Sequence, residues 1–171
     1  MLHSDRLAQT IAQSSKLIST AYKPISHVDA ARLSQALSDD AKAIAHASLA
    51  TFFEGINGVS KGRFTWSTVQ LYYCSFYTCR ALLMLRSFSV FYIGRSPHSL
   101  IAQAGESVVR KSGNTHSVVL AEFRSRFSAD QLLSQTVAES DPLTWLENLR
   151  NTASYRGRYI KRAQIYAKDY R

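Results

Sequence analysis

Apolar residues recur at helical spacing along most of the chain. Leu7, Ile11, Leu17 and Ile18 form one stripe within residues 4–21 and predict a first helix, ended by Pro24. Ser26 is a natural cap for a second helical region over 27–57, where Leu33, Leu37, Ile44, Phe52 and Ile56 are placed inward. The "SDD" at 38–40 offers an alternative start for a separate helix. "GINGVSKG" brings three glycines together and reads as a stop and a loop. A third helix follows over 67–85, with Thr65 or Ser67 near its cap. Val69, Tyr72, Tyr73, Phe76, Arg80 and Leu83 share one of its faces, and Leu71, Cys74, Leu82 and Leu85 enrich the flanks. A helix apolar over so much of its circumference belongs at the centre of a fold.

The pattern changes after residue 86. "SVFYIGRSPHSLIAQ" fits a short hairpin around 88–103, turning at Gly94–Pro97, or a helix broken there. "KSGNT" at 111–115 is a loop under either reading. Residues 116–127 predict a short helix with Val119, Leu120, Phe123 and Phe127 inward, and 129–138 another helical piece. In "ESDP", Ser140 or Asp141 caps a last helix with Pro142 at its first position. That helix extends to about 167, weakened at Gly157. Helices dominate, which predicts an all-α fold: a bundle of five to six helices forming a single domain over 1–171. Residues 1–24 add an extra N-terminal helix and 160–171 a basic C-terminal extension.

Charge narrows the partners. With 21 Lys+Arg against 12 Asp+Glu, the 171-residue chain carries a formal +9. From Arg150 to Arg171 stand seven basic residues and one acid, so two thirds of the excess lies in the last 22 residues, interleaved with Tyr155, Tyr159, Tyr166 and Tyr170. Basic side chains neutralise phosphates and tyrosine faces stack on bases, so this tail reads as a nucleic-acid contact; the plainer alternative is a solvated amphipathic helix. The start "MLHSDRLAQTIAQ" has no apolar core of a secretory signal, and Arg80 and Arg86 interrupt the apolar region 69–93. Together these predict no membrane span and a cytoplasmic protein.

Nucleotide-binding glycine loops, H-E-x-x-H and G-x-S-x-G are all absent. The five histidines are dispersed, and Cys74 and Cys79 are five apart, on different helical faces, so neither a metal site nor a disulfide is expected. Arg80 on a mostly buried face should be paired or near a cavity. The readings are a side chain that reaches outward to solvent, a pair with a core acid such as Glu54, Glu122 or Glu147, or a cleft shared with Arg150.

"YYCSFYTCRALL" at 72–83, then Thr115-His116-Ser117 leading into an apolar helix, then Arg-Asn-x-Ala-x-Tyr-Arg at 150–156, stand in an order that resembles the HEPN superfamily over residues 30–160. The resemblance implies a HEPN-like bundle of helices, usually a homodimer, often a metal-independent ribonuclease of prokaryotic defence or toxin–antitoxin systems that needs no cofactor. Its motif pairs an arginine with a histidine four to six residues on. An arginine holds the scissile phosphate and a histidine moves the proton as an RNA 2′-hydroxyl attacks. Arg150 and Asn151 match the start of that motif. Tyr155, Arg156 and Gly157 stand where the histidine belongs, and a phenol with an ordinary pKa near 10 is a poor base at neutral pH.

Members with a tyrosine-type segment are often silent companions of small nucleotidyltransferases. For a catalytic member the resemblance implies Arg150, Asn151 and Tyr155 as the catalytic set with Arg156 beside them, while the charge of the tail, read on its own, adds Arg158, Tyr159, Lys161 and Arg162 as contacts to RNA or a nucleotide. The alternative is a non-catalytic module that binds a nucleotide or partners a nucleotidyltransferase or other defence-system protein. A second match, "RKSGNTH" at 110–116, offers His116 as the missing base; a chance match or a structural histidine is the competing reading.

Overall fold

The computed structural model describes residues 1–18, 21–128, 135–137 and 139–155. These residues are mostly helical, with five helices and two small antiparallel sheets. The expected all-α class therefore holds only in its coarse form. Clustering of the backbone separates two compact units: Met1–Ala45 with Cys79–Phe123, and His46–Thr78 with Arg124–Arg171.

The first unit opens with α1 (His3–Ser15), shorter than the predicted first helix. At Lys16 the backbone becomes extended, and β1 (Lys16–Ile18) pairs with β2 (Ala21–Tyr22) before Pro24 is reached. Leu17 consequently leaves the apolar stripe and is exposed, whereas Ala8, Ile11 and Ala12 are buried. Helix α2 (His27–Ser60) starts as expected. The Ser26 hydroxyl accepts from the Asp29 amide (3.1 Å) and donates to the Asp29 carboxylate (2.8 Å), a reciprocal cap. "SDD" lies inside this unbroken helix. Its first half buries Ala30, Leu33, Leu37 and Ala41.

The hairpin alternative holds for residues 88–103. β3 (Phe88–Ile93) and β4 (Ser96–Ile101) pair antiparallel in register Phe88↔Ile101 through Ile93↔Ser96, and β5 (Val109–Arg110) adds a short third strand beside β4. Gly94, at φ +60, takes the first place of a two-residue turn, a backbone that a side chain would strain. Burial runs without alternation along both hairpin strands, so each face of the hairpin is covered. Gln9 of α1 donates to the Tyr92 carbonyl at 2.6 Å. Helix α4 (Thr115–Arg126) supplies Val118, Val119, Leu120 and Phe123 to this core. Its start is fixed by Asn114: the Ser117 amide donates to Asn114 Oδ1 (3.0 Å) and the Ser117 hydroxyl accepts from the Asn114 amide (2.9 Å). Phe127 falls one residue beyond the helix.

Arg80 is paired, but with none of the three acids expected. Its Nη2 donates to both carboxylate oxygens of Asp5 on α1, at 3.1 and 3.0 Å. Asp5 was unreachable from the sequence because its partner is 75 residues away. Burial raises the Asp5 carboxyl above its ordinary value, against the lowering pull of Arg80. A raised carboxyl contributes its stability in full below about pH 3.8 and loses it as pH rises through the folded value. Replacing Arg80 by Met leaves a buried carboxylate with no countercharge. The expected cost at pH 7 is roughly 3 kcal/mol, smaller at pH 4 and largely recovered by adding Asp5→Asn. Urea denaturation at the two pH values measures it; equal losses would show that the pair does not carry the effect.

Candidate functional site

The second unit contains the residues that the arginine motif singles out. Its frame is the end of α2 and the first part of α3 (Phe64–Leu85). Gly55 and Gly58, expected in a loop, lie within α2. A side chain at Gly55 would come within 2.9 Å of the Leu71 side chain, and one at Gly58 would collide with Ser67. The glycines thus let two helices approach, and the turn falls later, at Gly62 with φ +74. Helix α3 starts at Phe64, ahead of its predicted cap. Ser67 is inside the helix, its hydroxyl donating to the Arg63 carbonyl at 3.0 Å. Ser48 of α2 is bonded to the Cys74 carbonyl and the Thr78 hydroxyl, each at 2.8 Å.

Helix α5 (Pro142–Tyr155) begins where the sequence predicts, with Pro142 in first place and Asp141, one of the two cap candidates, as its cap. Asp141 Oδ1 accepts from the amides of Leu143 (3.0 Å) and Thr144 (3.1 Å). Arg124 Nη2 donates to the same oxygen (3.2 Å) and to the Thr144 hydroxyl (2.8 Å). Residues 135–137, inside the predicted 129–138 helical piece, are not helical; Val137 instead bridges Ser140, and most of that piece lies outside the described residues.

Along α5, Leu143 is buried and Trp145, Leu146 and Leu149 line an apolar groove of about 170 Å³ with Val59, Phe64 and Leu71. Arg150 lies seven residues after Leu143, two helical turns on, and therefore shares its inward face. Its side chain is only 9% exposed, and its guanidinium carbon lies 4.5 Å from the centre of the Tyr72 ring. This is a cation–π contact within the second unit. Burial raises the Tyr72 phenol, while the hydrogen bonding and charge of Arg150 act to lower it. Tyr72 is itself 2% exposed and leans edge-on against Tyr73, with centroids 5.5 Å apart.

The sequence-predicted site residues are distributed as follows. Arg150, Asn151 and Tyr155 occupy one helix, α5, with Asn151 half-buried. His116 belongs to the first unit, where it stands half-buried in the opening turn of α4. Arg156, Arg158, Tyr159, Lys161 and Arg162 lie outside the described residues, as does the expected extension of the last helix to 167. Among the described residues no group of three or more His, Cys, Asp or Glu could hold a metal ion, and no helix is long and apolar enough to cross a membrane.

One feature of this unit departs from the sequence expectation. Phe52 and Ile56, placed inward by the apolar pattern, are exposed, together with Leu49 and Phe53. These four stand at i, i+3, i+4 and i+7 and form a stripe turned about a third of a revolution from the face that carries Ser48, Gly55 and Gly58. The legible signal was the glycines: burial centred on Gly55 and Gly58 turns the Phe52 and Ile56 side towards solvent. Comparison with family models, curated proteins and solved structures gave no match.

Two consequences can be measured. Burial raises the Asp141 carboxyl, but bonds from Thr144 and the Arg124 charge outweigh it, so the pKa is lowered. The cap's stability is therefore present above about pH 3.8 and lost as pH falls through the folded value. Asp141→Ala is expected to cost about 1 kcal/mol at pH 7 and less at pH 3, read from thermal melts. Arg150→Ala is expected to lower the unfolding free energy by roughly 2 kcal/mol, since it removes a buried stem and a desolvated cation–π contact. A variant as stable as the parent would mean that the side chain does not rest on Tyr72.

Proposed function

We propose that this chain is a HEPN-like helical binding module that engages RNA or a nucleotide and self-associates through α2, rather than an enzyme that cuts RNA at Arg150. The observation that carries this reading is the burial of Arg150 on Tyr72. An arginine that grips a scissile phosphate needs its fork of donors turned towards the strand. An arginine buried to about nine-tenths, with its guanidinium carbon 4.5 Å from the centre of a phenol ring, serves packing instead. The missing histidine at the matching positions supports the same reading. Engagement of a polyanion is supported by the formal +9, two thirds of it carried by the last 22 residues.

Self-association is supported by the exposed stripe. Between Lys42 and Lys61 the chain contains no lysine or arginine and a single acid, Glu54. In a strongly basic protein this is where two copies can meet without opposing positive charges. The stripe also reads alike from either end. Antiparallel apposition about an axis between Phe52 and Phe53 sets Leu49 of one copy against Ile56 of the other and Phe52 against Phe53, as a twofold interface requires. Phe53, 61% exposed, lies at the centre of that pairing.

The ribonuclease reading is kept in view by His116 and the basic tail, and one set of measurements separates the two. Light scattering is expected to give a dimer that Phe53→Glu converts to a folded monomer. Labelled RNA in EDTA is expected to be bound and left intact. A wild-type protein that stays monomeric at high micromolar concentration sinks the α2 interface, and if it co-purifies with a nucleotidyltransferase the face belongs to that partner. Cleavage that disappears in a folded Arg150→Ala variant restores the enzyme.

A further inference from the structure

The first unit holds a concave basic site that neither the arginine motif nor the tail uses. A hollow of about 590 Å³ lies at the turn end of the three-stranded sheet, lined by Arg95, Ser96, Arg110, Lys111 and Ser112 together with Pro97 and Gly113. Its assembly follows from the fold. The tight turn at Gly94 places Arg95 at the tip of the hairpin. The β4–β5 pairing sets Arg110 opposite His98, and the Lys111 amide donates to the Pro97 carbonyl at 2.8 Å, so Arg110 and Lys111 are held beside the turn. Residues far apart in sequence thus converge through strand register.

The electrostatics favour an anion. Lys111 is paired with Glu122 at 2.6 Å, so three cations and one acid leave two positive charges around the hollow. Arg95 and Arg110 are both exposed. Arg110 spends one Nη2 contact on the Ser96 hydroxyl, at 3.3 Å, and a guanidinium has five N–H donors to give. Two arginine forks and two serine hydroxyls around one cavity match the oxygens of a phosphoryl group, which accepts paired, charge-assisted bonds. The volume exceeds that of a lone phosphate and suits a nucleotide-sized ligand.

We infer that this hollow is a phosphoryl-binding site formed by Arg95, Arg110, Ser96 and Ser112, taking the phosphate of a free nucleotide or of an RNA strand. The site requires neither α5 nor the α2 stripe, and it deepens the proposed function by naming a place for the RNA or nucleotide contact. "RKSGNTH" thus gains a role through its first three residues rather than through the spacing of Arg110 and His116.

The test uses the full-length protein and three probes: inorganic phosphate, a 5′-mononucleotide and a short single-stranded RNA. Amide shifts of Ser112 and Gly113 report occupancy of the hollow, and calorimetry or anisotropy gives the affinity. The double variant Arg95→Gln/Arg110→Gln, altered only at exposed side chains, is expected to weaken binding at least tenfold with an unchanged circular dichroism spectrum. Arg32→Gln, on α2, controls for loss of one charge elsewhere and is expected to leave affinity within twofold. Phosphate or mononucleotide binding that the double variant loses identifies a free phosphoryl ligand. Binding of the RNA alone, lost in the same way, identifies a strand backbone. No binding by any probe, or equal weakening in Arg32→Gln, overturns the site. The oligomeric state and RNA integrity that decide the proposed function are read in separate measurements.

Discussion

The closeness of α2 to α3 at Gly55 and Gly58 is the constraint on which the second unit depends. Where a β-carbon would meet Leu71 or Ser67, hydrogen takes its place and the two helices come together. Glycine inside a helix costs roughly 1 kcal/mol relative to alanine, so two of them three residues apart need a compensating contact, and close packing supplies one. The approach also fixes which side of α2 is spent on the interior. Ser48 then bonds across to α3, and Leu49, Phe52, Phe53 and Ile56 are left facing outward.

The same inward-facing logic governs α5. Its cap at Asp141 and its buried Leu143 set the rotation of the helix, and that rotation carries Arg150 onto Tyr72. A motif match says which residue types occur at which spacing. It does not say which way the helix is turned. Here the arginine that resembles a phosphate ligand is committed to an aromatic ring, and a side chain so committed would have to leave its contact to reach a substrate. The basic hollow beside the hairpin is the contrary case: the Arg110–His116 spacing does not describe it, yet its arginines are open to solvent and grouped by strand pairing.

Legibility in the sequence followed the range of the physics involved. Local signals were readable: the Ser26 and Asp141 caps, Pro142 at a helix start, and the inward Val119, Leu120 and Phe123 of α4. The hairpin at 88–103 was visible as one of two options, because a buried strand without alternation resembles a helix segment of the same length. Interactions distant in sequence were not readable. Arg80 demanded an acid, but nothing in the pattern pointed to Asp5. The end of the first helix was misread because Pro24 is a strong breaker, while the actual stop is the extended backbone of a small strand pair at Lys16. The glycines of "GINGVSKG" were assigned to a loop on their average behaviour, when their spacing of three fitted a helix face just as well.

The outward stripe on α2 has a cost that lies outside any single folded copy. Two phenylalanines, a leucine and an isoleucine on one side of a helix order water whenever nothing covers them, and that penalty is removed only when another surface arrives. If a second copy covers the stripe, as proposed, the covered fraction follows mass action. Abundance would then be a variable to which the protein itself responds: scarce copies would stay bare and available to a different greasy surface, while plentiful copies would hide the stripe from every competitor.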